Sequence, residues 1–199
     1  MQRRRLSPLA RTTLEVMWRV VPPEQHLPTV FASRHGEIIS TRHMLGQLVA
    51  GEALSPTEFS HSVHNSLAAQ ASIFRRDHSE SVAVSAGDDT LACAFVEAAG
   101  LLLDAEQVLV AAYDEPLPES YLAALPEENQ RWALVALLTR GEPTLRLERA
   151  ERTPGSRSVH GGVATSRALA AMLAGGAGAS ASVRQASGAH DWLWSRDVT

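Results

Sequence analysis

No lysine occurs in this chain; all 18 basic residues are arginine. That absence removes Schiff-base chemistry and the phosphate-binding P-loop, both of which need an ammonium side chain. Arginine in place of lysine, with abundant alanine, points to the codons of a GC-rich bacterial genome. A single cysteine, Cys93, excludes an internal disulfide and suits a reducing compartment, so a cytoplasmic location is expected. Aromatic residues make up only 5% of the chain, the net charge is -4, and no arginine stripe is interleaved with aromatics; nucleic acid is therefore not an expected partner. No apolar run approaches the roughly 20 residues of a membrane span. Arg3, Arg4 and Arg5 lead into Ser7-Pro8 and not into an apolar segment with a cleavage site, so no signal peptide is read. The Gly-x-Ser-x-Gly elbow is also missing, which leaves a stand-alone esterase without its nucleophile.

What is present is core material: 45% of 199 residues are hydrophobic, enough for one domain spanning 1–199. Ser7 followed by Pro8 opens a helix whose expected inner face is Leu9, Thr13, Val16, Met17 and Val20, stopped by Pro22-Pro23. A short strand is expected over 29–33, a helix over 41–50 carrying Met44, Leu45, Leu48 and Val49, and a small-residue helix over 65–76. A second strand over 81–85 precedes a helix over 89–103 that buries Leu91, Phe95, Ala98 and Leu102. The unalternating run 108–113 reads as a strand covered on both faces. Strands alternating with helices imply a parallel sheet. Beyond Asp114 the pattern changes. Two strands, 132–138 and 144–149, are expected to pair antiparallel around the turn Arg140-Gly141-Glu142-Pro143. A loop over 151–162, a helix over 163–174, a Gly/Ala/Ser connector and an edge strand over 190–194 complete the pattern.

The segments RRRLSPLARTTLEVMW, VFASRHGE, LSPTEFSHSVHN, AGDDTLACAFVEA and VLVAAYDEPLPE together resemble the N-terminal region of β-ketoacyl synthases, best over residues 3–119 and weakly over 120–199. The closest likeness is to the short, catalytically degenerate branch that includes chain length factors. The resemblance implies an α/β thiolase-like half of βαβαβαββ type (a mainly parallel mixed sheet with helices packed on it), whose opening strand is either absent here or lost to a truncated start. A working ketosynthase has two such halves. It also places Asp88 where the family carries its nucleophilic cysteine, at the start of the helix after the strand 81–85. A helix N-terminus favours an anion, and a carboxylate satisfies that site permanently without being able to hold a thioester. Asp88 is read as a helix cap with Asp89 beside it. Cys93 lies inside the helix and is read as a core side chain.

In chain length factors the segment before the small-residue helix projects into the partner's acyl tunnel. Carried over by position, the tunnel and interface residues here are Phe59, Ser60, His61, Val63, His64, Asn65 and Ala69, with Phe59 foremost. An active ketosynthase subunit is the implied partner, with acyl carrier protein engaged through it. The pathway class is fatty-acid-like or polyketide synthesis, with aryl polyenes among the products. His61 and His64 lack a third ligand at suitable spacing, so no metal is read, and no cofactor is implied. A competing reading starts from Arg34-His35-Gly36-Glu37 after an apolar strand and the segment around His160. These resemble the two histidine motifs of histidine phosphatases, with His35 as nucleophile and Arg34 on phosphate.

Overall fold

In a computed structural model of the chain, residues 6–122, 130–142, 144–152, 159, 162–175, 181–188 and 190–196 are described. The first helix, α1 (Pro8–Val20), begins as its sequence dictates. Ser7 Oγ accepts from the Ala10 N–H at 2.9 Å and Pro8 occupies the first position, where its missing N–H costs nothing. Its buried face is Leu9, Ala10, Thr13, Leu14 and Met17, rotated from the expected one, with Val20 exposed. Strand β1 (Thr29–Ala32) is buried throughout and lies between β2 (Ser81–Val84) and β3 (Gln107–Asp114), parallel to both. The parallel sheet expected from alternating strands and helices is present.

Side chains of these strands divide by parity. Val30, Ala32, Val108, Val110 and Ala112 face one core, while Phe31, Leu109, Ala111 and Tyr113 face another. The second core is covered by α1 and by α4 (Ser66–Arg75), whose Leu67, Ala68 and Ala71 are buried. The first is covered by α5 (Thr90–Leu101), with Leu91, Ala92, Ala94, Phe95 and Ala98 inward. Two further helices, α2 (Ile38–Val49) and α3 (Pro56–Ser62), pack on one another and bury little: α2 buries Met44 alone and α3 buries nothing. A short α6 (Glu119–Leu122) follows β3.

The C-terminal third departs from expectation. Strand β4 (Trp132–Thr139) does pair antiparallel at the sheet edge, but its partner is β3. Strand β5 (Leu145–Glu151) is not its hairpin mate. It joins β6 (Ser182–Ala186) and β7 (His190–Arg196) in a separate antiparallel sheet ordered β5-β7-β6, so the last strand is central and not an edge. Strand β6 was unforeseen, because Ser-Val-Arg-Gln-Ala carries one large apolar residue. Val159, expected in a loop, bridges to Gln185 beside β6. Helix α7 (Gly162–Ala174) and this small sheet extend the core that α5 shares with the main sheet. Leu169, Met172, Val183 and Trp194 join the α5 core, and Trp194 meets Phe95 edge-to-face at 4.9 Å.

Candidate functional site: the turn before α5 and the exposed α2–α3 face

β1 and β3 run parallel and end side by side, and the residues just beyond them are tied together. Asp114 closes β3, and its buried carboxylate accepts from Ser33 Oγ at 2.7 Å, the His35 N–H at 3.0 Å and the Arg34 N–H at 3.3 Å. Burial pushes the Asp114 carboxyl up, and these three donors pull it back. Gly36, at φ +59°, donates its N–H to Ser33 Oγ at 2.7 Å, and His64 Nε2 lies 2.9 Å from the Ser33 carbonyl oxygen. The Ser-Arg-His-Gly segment is therefore a bend fastened to β3. Beyond it Glu37 is buried and accepts from Ser7 Oγ at 2.5 Å. Burial raises its carboxyl to about 7, with Glu115 pushing the same way and Ser7 and Arg131 opposing.

The turn that carries Asp88 spans Gly87–Asp89 and leads into α5. Gly87 takes φ +58°, a conformation that favours glycine. Thr90 closes the turn: its Oγ1 accepts from the Ala86 N–H at 2.9 Å and donates to the Gly87 carbonyl at 2.7 Å. The expectation that Asp88 caps the helix is corrected here. Asp89 is the N-cap residue by backbone position, without a side-chain cap bond, and the Asp88 carboxylate instead pairs with the Arg34 guanidinium at 2.9 Å. The small sheet grips the same turn. Gln185 Nε2 donates to the Asp88 carbonyl at 2.7 Å, Trp192 Nε1 donates to Asp89 Oδ1 at 2.8 Å, and Trp194 Nε1 donates to Gln185 Oε1 at 3.2 Å. Gln185 and Trp192 went unnoticed in the sequence because nothing marks them before β6 and β7 are known to lie against α5.

In front of this turn is a small cleft of about 30 Å³, partly open to solvent. Ala32, Leu91, Ala112 and Trp132 form its apolar wall, and Arg34, Asp88, Asp114, Thr165 and Gln185 its polar one. Cys93 lies along α5, half-buried, with its thiol pushed up by burial and by Asp89. The thiolate is disfavoured there.

The tunnel and interface candidates sit on α3, α4 and the turn between them. Phe59 is 58% exposed, so it is not a core residue of this chain. Ser60 Oγ is turned back to the Thr57 carbonyl at 2.8 Å. His61 and Val63 are half-buried, His64 reaches Ser33, and Asn65 and Ala69 are exposed. Neighbouring α2 adds exposed Ile39, Leu45, Leu48 and Val49, the last 90% exposed. Among the described residues no three His, Cys, Asp or Glu side chains gather as a metal site requires.

Parallel strands sandwiched by helices, with a helix N-terminus set at the strand ends, define a thiolase-like α/β half. The family model for the β-ketoacyl synthase N-terminal domain matches residues 1–195, and the chain belongs to that family. Among solved structures, a chain from a ketosynthase in complex with its chain length factor, from Xenorhabdus doucetiae, superposes with a TM-score of 0.80 at 26% identity. The match covers 97% of this chain and 79% of that one. No protein of curated function matches. The histidine-phosphatase reading is not supported: the family is a different one, Arg34 is occupied by Asp88, and His160 lies outside the described residues.

Proposed function

We propose that this chain acts as a single, non-catalytic, chain-length-factor-like unit that pairs with an active β-ketoacyl synthase in bacterial fatty-acid-like or polyketide synthesis, aryl polyene formation included. The observation that carries the reading is the turn before α5. By the resemblance, Asp88 stands where the family carries its cysteine; it lies in the turn before α5, ion-paired to Arg34, and a carboxylate can only form an acyl anhydride that water removes. The partner supplies the thiol and the histidines and receives the acyl carrier protein. Phe59, with Ser60, His61, Val63, His64, Asn65 and Ala69, forms the surface turned towards it.

Two further observations support pairing. The α2–α3 face displays Ile39, Leu45, Leu48, Val49, Leu54 and Phe59 to solvent, large apolar groups that a monomer gains nothing by exposing together. The matched solved structure is described as a ketosynthase bound to its chain length factor, and its matched chain is only modestly longer than this one. The test is co-expression with a ketosynthase encoded in the same gene neighbourhood, followed by affinity capture on this chain. A stoichiometric complex is expected from wild type and its loss from Phe59→Asp. Capture of no ketosynthase, or capture undisturbed by substitution across α2 and α3, contradicts the reading.

A further inference from the structure

The α2–α3 pair is attached to the body by polar contacts at one end. Among the described residues neither apolar core includes a member of α2 or α3. Their anchorage gathers at the first turn of α2. Glu37, the residue before that helix, is 4% exposed, and its side chain accepts from Ser7 Oγ, ahead of α1. Glu115, 3% exposed just past β3, accepts from the Ile39 N–H at 3.3 Å and stands 4.0 Å from the Arg131 guanidinium, just before β4. Tyr113 adds a fully buried hydroxyl without a hydrogen-bond partner, in the field of both Glu37 and Asp114. Asp114 is held by Ser33 and the His35 N–H, and His64, from the turn before α4, lies against Gly36. Helix α2 itself brings no acidic residue into its first turn.

Two buried carboxyls therefore share the foot of one helix. Ionised, Glu37 puts a second negative charge beside Glu115 where water does not reach, and the single guanidinium of Arg131 cannot neutralise both. Neutral, it leaves Glu115 and Arg131 balanced. An element that buries only Met44 has little apolar packing to offset that repulsion, so the strain is relieved by local opening, which returns Glu37 to water. We propose that the α2–α3 pair is a proton-controlled limb: a neutral Glu37 keeps its foot seated on Ser7 and Glu115, and ionisation of Glu37 promotes opening of α2 and disorders the apolar face. The sign follows from the two states. Closed, the carboxyl holds its proton up to about 7; open, it has the ordinary 4.5. Between these values only the closed form is protonated, so opening grows with pH and levels off above about 7. The limb belongs to this chain alone, so its failure leaves the pairing reading standing, and the reverse also holds.

Amide hydrogen exchange of the full-length chain, read by mass spectrometry from pH 5 to pH 8 and corrected for the intrinsic exchange rate, measures the opening directly. Peptides covering α2 are expected to be less protected than those covering α5 at every pH. Their protection is expected to fall about thirty- to fiftyfold between pH 5 and pH 7 and only about twofold from pH 7 to pH 8, the course of one proton released on opening. Glu37→Gln keeps an acceptor for Ser7 Oγ and cannot ionise, so its α2 protection is expected to stay level across the range. The proposal is overturned if α2 is as protected as α5, if wild-type α2 protection does not change with pH, or if the glutamine variant falls as steeply as wild type. Where the variant does not fold, the wild-type profile alone decides.

Discussion

Glu37 buries a carboxyl whose folded value, about 7, stands above the ordinary 4.5. Between these two values the folded state holds a proton that the unfolded state has released, so stability falls as pH rises through that window and levels off above it. The size is on the order of 2–3 kcal/mol. Glu37→Gln keeps an acceptor for Ser7 Oγ and removes the titration. Its melting temperature relative to wild type is expected to climb between pH 5 and pH 8, and a constant offset in thermal melts across that range contradicts this. Asp88 gives the opposite expectation. Its side chain is 49% exposed and its partner is an arginine at the cleft mouth, so Asp88→Ala costs less than about 1 kcal/mol, whereas loss of a true helix cap costs about 1–2. Chemical denaturation separates the two. The resemblance drew attention to Asp88, but the sequence misjudged what its carboxylate does, because Arg34 lies 54 residues away and comes into range only when β1 and α5 share one sheet end.

Among the elements, α1, β1, β2, α4, α5 and β3 were legible, since capping residues, small-residue runs and continuous apolar strands are local signals. The pairing of β4 with β3 and of β5 with β7 was not, because these partners are distant in sequence and no local signal marks which strand each one meets. Ala68 and Ala71 of α4 pack on the chain's own sheet, while Ala69 is exposed. Ala69→Arg is therefore expected to leave a cooperatively folded monomer that no longer binds a ketosynthase. Gln70→Arg, at a buried position, is expected to lower the melting temperature instead. Capture assays beside thermal melts of the two variants check this, and a folded, binding-competent Ala69→Arg places the interface away from α4.

At the scale of the whole molecule, α7 and the small sheet extend the core that α5 shares with the main sheet, through Leu169, Met172, Val183 and Trp194. Trp194 is fully buried against Phe95, so Trp194→Ala is expected to cost about 3–5 kcal/mol. Removal of residues 145–196 is expected to leave a protein that binds hydrophobic dyes and melts without cooperativity; a cooperative melt of the shortened chain refutes that role. No helix among the described residues is long and apolar enough to cross a membrane. The exposed apolar face of α2 and α3 suits the protein partner proposed above, and the central claim is that this partner does the chemistry. The most direct measurement is the intact mass of both subunits of the co-purified complex after incubation with acyl-loaded carrier protein. The account expects a complex in which the ketosynthase gains the acyl mass and this chain stays unmodified; a stable acyl adduct on this chain contradicts it.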